Sequence, residues 1–244
     1  MLPANFAARM GLCSMDAGTP LTVGTWVAAR AGADCALSAA AAVAAGERAA
    51  FALTRPPGHH AGADFFGGYC FLNNAALAAQ QLRDQGFERV AVLDLDYHHG
   101  NGTQAIFYER TEVFFLPAFM ATRLLNTRFT WAMPMSRVKM PGWVLIATCP
   151  WRGSDFALWR AALTTALQGI QSYGAQALVV SLGLDTFEGD PIAGFKLQSA
   201  DYLQVGQDLA AAGLPTVVVF EGGYAVAELG VNAVNLLQGF MEMT

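Results

Sequence analysis

The feature that most constrains this chain is a series of short, unbroken apolar runs, each followed by a polar cluster and then by a segment of helical length. Residues 89–95, Ala177–Leu182 and Thr216–Phe220 read as strands without polar alternation, the pattern of strands buried on both faces of a parallel sheet. Residues 49–54 read as a short buried strand, and 112–115 start another. Between them, 25–45 is alanine-rich and almost free of helix breakers, with Gly46 placed to end it. Residues 73–85 resume a helical pattern with Asn73 or Asn74 as N-cap. A short helix is expected after the glycine-rich loop that follows residue 98. Further helices are expected at 155–173, at 199–212 and from near Val226. Strands alternating with helices of this length predict one α/β domain over residues 1–244, a mainly parallel sheet flanked by helices. In such sheets, sites form beyond the carboxyl ends of the strands. Four polar clusters fall there: His59-His60, Asp94 to His98, Asp185, and Glu221-Gly-Gly-Tyr224.

Composition narrows the class. With 244 residues, 54% of them hydrophobic, the chain can bury a large sheet. A net charge of −5 and a pI near 5.3 supply no clustered basic face, so neither nucleic acid nor an anionic membrane is expected as a partner. Mean hydropathy is high at +0.35, but the apolar stretches read as interrupted short of the roughly 18 residues that span a bilayer. Residues 1–11 lack the basic and apolar regions of a secretory signal. Cys13, Cys35, Cys70 and Cys149 are scattered, with no Cys-x-x-Cys pair, which suggests neither a disulfide framework nor a thiolate zinc site. A soluble cytoplasmic protein is the expectation.

The clusters carry the chemistry. Asp96 and His98 stand two apart at the end of an extended segment, so their side chains are expected to point the same way and share one ion. Asp185, from another strand end, adds a second carboxylate. Two carboxylates and one imidazole leave positions open for water and substrate, as a catalytic zinc site requires. Read alone, Asp-x-Asp-x-His is equally a strand-end turn with capping carboxylates. His59 and His60 can divide base and acid duties near a metal, because histidine titrates near neutrality; alone, they are an ordinary polar loop. Asp94 is expected to face away from Asp96 and to orient one imidazole. Tyr224 follows two glycines that let the backbone turn sharply, and its hydroxyl suits a developing oxyanion. By itself Gly-Gly-Tyr reads as a loop.

Taken in order, Arg55-Pro-Pro-Gly-His-His-Ala61, Gly67-Gly-Tyr-Cys-Phe-Leu-Asn-Asn74, Asp94-Leu-Asp-Tyr-His-His-Gly-Asn-Gly-Thr103, Gly183-Leu-Asp-Thr186 with Gly189-Asp-Pro191, and Glu221-Gly-Gly-Tyr224 resemble the successive signatures of the histone deacetylase and acetylpolyamine amidohydrolase superfamily. The likeness is closer to class II histone deacetylases and bacterial acetylpolyamine amidohydrolases than to class I enzymes. The resemblance implies an arginase/deacetylase-like fold with Asp96, His98 and Asp185 as zinc ligands. It makes His60 the principal general base, His59 its electrostatic or acid partner, and Tyr224 the donor to the tetrahedral oxyanion. Asp94 would pair with His59. Asn101 stands behind His60 where some relatives carry an aspartate, which would leave His60 less basic. Gly68 and Phe66 or Tyr69 would line a narrow substrate channel, and a structural potassium ion would lie near the turn from Asp94 to His98. The implied reaction is hydrolysis of an N-acetyl amide, in acetyl-lysine or an acetylated polyamine, by metal-activated water. A second copy of the chain is left open as a partner.

Two departures accompany the resemblance. The family normally has a longer N-terminal part, and Asp16-Ala-Gly-Thr-Pro20 matches a later piece of it, so the first sheet elements are expected to be missing. From Leu116 to Gly153 the likeness vanishes: the segment holds no Asp or Glu but four methionines, three tryptophans and five basic residues. Reading one base earlier, the DNA for Ala132-Met-Pro-Met-Ser136 can encode His-Ala-Asp-Glu, and that for Phe119-Met-Ala-Thr-Arg123 can encode His-Gly-Asp-Pro, both similar to peptides of relatives. The expectation is a frameshift near Leu116 compensated within 150–153; the alternative is a divergent rim insertion. These departures motivate a second functional reading, a catalytically impaired metal-binding remnant or acetyl-group binder. A ureohydrolase with two manganese ions is set aside for want of further Asp and His ligands.

Overall fold

Strand register brings the polar clusters to one edge of the molecule. The computed structural model describes residues 4–117 and 153–243. Among them are strands β1 (Ala49–Ala52), β2 (Val90–Asp94), β3 (Val113–Pro117), β4 (Ala177–Leu182) and β5 (Thr216–Phe220). The helices are α1 (Phe6–Cys13), α2 (Thr25–Ala44), α3 (Asn74–Asp84), α4 (Asn101–Phe107), α5 (Phe156–Tyr173), α6 (Asp201–Ala211) and α7 (Val226–Glu242). The strands form one sheet in the order β1-β5-β4-β2-β3, and every pairing is parallel. Asp94 pairs with Ser181 and Pro117, Leu182 with Phe220, and Ala52 with Val219. The loops that follow β1, β2, β4 and β5 therefore leave the sheet side by side.

Every residue of β2 and β4 is buried, which explains their unbroken apolar runs: alternate side chains enter two different cores. Val90 and Val92 face a layer in which α2 and α3 contribute mainly alanines, including Ala36, Ala40, Ala75 and Ala79. Ala91 and Leu93 face bulkier partners on the other side, among them Trp159, Phe195 and Tyr202. Small side chains let α2 and α3 lie close on the sheet, whereas large ones fill the wider layer beneath α5, α6 and α7. Truncating Trp159 to alanine would cost about 3–5 kcal/mol.

Local signals set the element ends. The Asn73 side chain accepts from the Ala76 amide and the Asp155 side chain from the Leu158 amide, capping α3 and α5. Gly174, at φ 72°, ends α5 in the left-handed conformation. Expected and observed boundaries agree to within about two residues, the ordinary scatter of helix and strand ends. Helix α1 was not expected from its composition; its Asn5 N-cap accepts from the Ala8 amide. The expectation that no apolar stretch reaches spanning length is corrected by α2, whose 20 residues are long and apolar enough by length and composition. Its Ala29, Gly32, Ala33, Ala36, Ala39, Ala40 and Val43 are nevertheless buried within the protein. Strand β3 runs to Pro117, just inside the segment where the resemblance ends; the rest of that segment, 118–152, lies outside the described residues.

Candidate active site

Asp96, His98 and Asp185 converge just beyond β2 and β4, each offering one ligand atom within 4.8 Å of the others. Strand alternation is not what aligns the first two, because β2 ends at Asp94. Instead the chain turns, and Asp96 Oδ1 accepts from the His98 amide at 2.8 Å. His98 Nδ1 then faces both carboxylates, 2.7 Å from Asp185 Oδ2 and 3.2 Å from Asp96 Oδ1. The remaining carboxylate oxygens are held by backbone: the Gly222 amide donates to Asp96 Oδ2 at 3.1 Å, and the Tyr97 amide to Asp185 Oδ1 at 2.9 Å. A Cβ at residue 222 would stand 2.8 Å from Asp96 Oδ2, so glycine is what admits this approach.

The electrostatics fit a cation. Asp96 and Asp185 are almost wholly buried. Burial, reinforced by the charge on Asp96, raises the Asp185 carboxyl above the usual carboxylate range. Asp96 is held well below the usual carboxylate range, because His59 and His98 outweigh its burial. Burial disfavours charging His98, but its bonds to Asp185 and Asp96 prevail and push it up to about 10. Two carboxylates and one imidazole turned inward, with backbone amides fixing the carboxylates, form a donor set suited to a divalent metal with open positions.

The paired histidines flank this cluster, their ring centroids 4.1 Å apart. His59 Nδ1 lies 3.0 Å from Asp94 Oδ2, and its Nε2 is 3.9 Å from Asp96 Oδ1. Asp94 and Asp96 thus stand on opposite sides of one imidazole; the expectation that Asp94 faces away from Asp96 fails because the chain turns after Asp94, the Asp96 amide donating to Asp94 Oδ1 at 3.1 Å, and the turn aims both carboxylates at His59. Burial opposes charge on His59, but Asp96 and Asp94 overcome it and hold its pKa well above the usual value. His60 Nδ1 lies 2.6 Å from Asn101 Oδ1. Burial, with the neighbouring His59, pushes His60 down to about 3.

Tyr224 is held by its amide, which donates to Asp190 Oδ2 at 2.7 Å. Burial and the nearby Asp96 and Asp185 raise its pKa, so the phenol stays a hydrogen-bond donor. Tyr69 meets it edge-on at 6.1 Å between centroids, and Gly68 lies against the His60 ring, where a Cβ would collide. Phe66 is placed differently: it stacks on Phe71 at 5.8 Å and hydrogen-bonds through its backbone to Cys13 and Met15. Of the two aromatic alternatives for the channel, Tyr69 is the one that the structure brings to Tyr224.

Three further acidic residues, Asp16, Asp190 and Glu221, hold the backbone around the site. Asp16 accepts from the Gly68 amide, and Thr19, bonded to Asp16, accepts from the amide of Tyr69. Tyr69 needs such support because its φ is 66°, in the left-handed region. Asp190 holds Tyr224, and Glu221 accepts from the amides of Gly58 and His59. Each carboxylate has a glycine within two residues, a signal that sequence inspection can register; each accepts from a backbone amide distant in the chain, which sequence inspection cannot name.

Comparison with known proteins bears on the family of the chain. The model of the histone deacetylase domain matches residues 4–240. Acetylpolyamine amidohydrolase 2 of Pseudomonas aeruginosa is 50% identical over 253 residues, covering 98% of this chain and 69% of its own length. Acetylpolyamine amidohydrolase of Mycoplana ramosa is 48% identical over 244 residues, covering 98% and 70%. The crystal structure of acetylpolyamine aminohydrolase from Burkholderia pseudomallei superposes with a TM-score of 0.85 at 38% identity, over 97% of this chain and 68% of that one. A family match along nearly the whole chain, relatives of this similarity and a shared sheet lead to one conclusion: the chain belongs to the histone deacetylase and acetylpolyamine amidohydrolase superfamily, a family of deacetylase hydrolases.

Proposed function

We propose that this protein hydrolyses the N-acetyl amide of acetylated amines in a zinc-dependent reaction, with acetylpolyamines as the favoured substrate class. The observation that carries the proposal is the meeting of Asp96, His98 and Asp185 with the His59-His60 pair and Tyr224 at one end of the sheet. The choice of acetylpolyamines rests on the names of the relatives reported above. Zinc held by Asp96, His98 and Asp185 would supply Lewis acidity toward a carbonyl and toward water.

The chain's own residues account for proton handling. With the amide oxygen of Asn101 as acceptor, His60 carries its proton on Nδ1 and leaves Nε2 with a free lone pair, the form a general base needs. His59, held between two carboxylates, keeps a positive charge beside it. Tyr224 stays protonated and donates to the developing oxyanion. As the amine leaves, the proton taken up by His60 is returned to it. Tyr69 and Gly68 line the approach. The potassium ion near residues 94–98 belongs to the same proposal and rests on the resemblance alone. We also place the protein in the cytoplasm, where its free Cys13, Cys35 and Cys70 would remain reduced.

The test is zinc content measured together with acetate release from acetylpolyamines and acetyl-lysine peptides, with and without a chelator. Chelator-sensitive release from acetylpolyamines supports the reading. Bound zinc without turnover of either substrate class would instead establish the metal-binding remnant. Asp185→Ala and His98→Ala should abolish zinc binding. Tyr224→Phe should keep zinc and lose about 10²–10³ in kcat, the scale for one oxyanion donor; full activity in that variant contradicts the assigned role.

A further inference from the structure

Glu221 is buried, 3% exposed, at the carboxyl end of β5, three residues before Tyr224. Its Oε2 accepts two backbone hydrogen bonds from the loop of the paired histidines, from Gly58 N at 2.6 Å and His59 N at 3.1 Å. Its Oε1 has no hydrogen-bond partner among the described residues. One oxygen of one side chain therefore makes both contacts. The rest of the same short segment binds the other parts of the site: Gly222 N donates to Asp96 Oδ2, Gly222 O accepts from Leu184 N at 2.8 Å, and Tyr224 N donates to Asp190. Residues 221–224 are thus joined to the metal cluster, to the turn carrying Asp185 and to the support of Tyr224. Glu221 joins them to the histidine loop.

We infer that Glu221 is a positioning residue, a clamp that sets the His59-His60 pair relative to Asp96 and Tyr224. The inference rests on the proposed hydrolytic reading. Two amides that converge on one oxygen, Gly58 N at 2.6 Å and His59 N at 3.1 Å, hold this stretch of loop in a narrow range of orientation, and water is not at hand to replace a buried acceptor. The next peptide, between His59 and His60, is held independently, because the amides of Gly102 and Thr103 donate to the His59 carbonyl at 3.1 Å each. With Glu221 removed, the loop remains tethered at that carbonyl while the amide side is released. The expected result is a shift of the two imidazoles rather than loss of the loop or of the metal. Among the described residues, neither oxygen of Glu221 hydrogen-bonds to the three metal-binding side chains, which keep their own bonds.

The test compares Glu221→Ala with Glu221→Gln, whose carbonyl oxygen can still accept both amides. For the alanine variant, kcat should fall about a hundredfold, the scale of an ångström-sized misplacement, with KM and zinc content unchanged. Hydrogen exchange should accelerate at the Gly58 and His59 amides while the amides of Tyr97 and Gly222 keep their protection. The glutamine variant should restore most of the turnover and the slow exchange. Unchanged kcat in the alanine variant, an even loss of protection with loss of zinc, or failure of glutamine to restore turnover would overturn the clamp. If the alanine variant does not fold, the glutamine variant and the wild-type exchange rates decide: Gly58 and His59 amides that exchange like those of exposed loops rule it out. Exchange needs no substrate, so a wild-type protein that releases no acetate refutes the functional reading while the exchange data still judge Glu221.

Discussion

His59 and His60 are adjacent in the chain and their rings nearly touch, yet each stands on a different support. The carboxylates of Asp94 and Asp96 flank His59, and the ring holds a positive charge despite its burial. A neutral amide backs His60, which lies beside a charged neighbour and is held as a free base. The same side chain is thereby favoured as the charged form at one position and as the neutral form at the next. Environment makes the distinction: a carboxylate partner stabilises the charged ring, whereas burial and a like charge destabilise it. Two titratable groups whose surroundings drive them apart can take separate acid and base assignments.

The largest expected effect comes from removing His60, the general base of the proposed reaction. His60→Ala should lower kcat by about 10³, within the range for loss of a general base, while leaving zinc content intact; equal losses of zinc and turnover would show that His60 acts through the metal cluster instead. A smaller loss, about tenfold, is expected for Asp94→Asn, because a bond to a charged partner is worth roughly 1.5 kcal/mol more than a neutral one. That variant lowers the pKa of His59, so less of the positive charge beside His60 survives. The smallest effect at optimal pH belongs to Asn101→Asp. A carboxylate there favours the charged form of His60 and raises its pKa. Because a base must be deprotonated to act, the acidic limb of the kcat/KM profile should move upward by about one pH unit. Identical pH profiles for the Asp94→Asn and Asn101→Asp variants would erase the distinction between the two supports.

Much of this site is legible before folding. The continuous apolar runs of β2, β4 and β5 mark strands with both faces covered, and the clusters after them mark the reactive edge. Asp94 behind His59 and Asn101 behind His60 were both expected, and each is within hydrogen-bond distance of the ring in question. Less legible was how Asp96 and His98 align. A two-residue spacing suggests strand alternation, but the contact is made by a turn in which the Asp96 carboxylate binds the His98 amide. Side-chain bonds to nearby backbone compete with extended structure and can replace it at a strand end. Helix α1 was missed for a related reason: eight residues with one capping asparagine give a weak periodic signal.

The sequence by itself determined the order of elements, the two-faced burial of the strands and the chemical inventory at their ends, because periodicity and residue type act over a few positions. Only the tertiary structure decided that Gly222 would bind Asp96 across 126 positions, that Tyr69 rather than Phe66 would meet Tyr224, and that Glu221 would grip the histidine loop across 162 and 163. These contacts depend on the register of strands distant in the chain and on backbone groups that every residue carries. Residue identity alone therefore could not single them out.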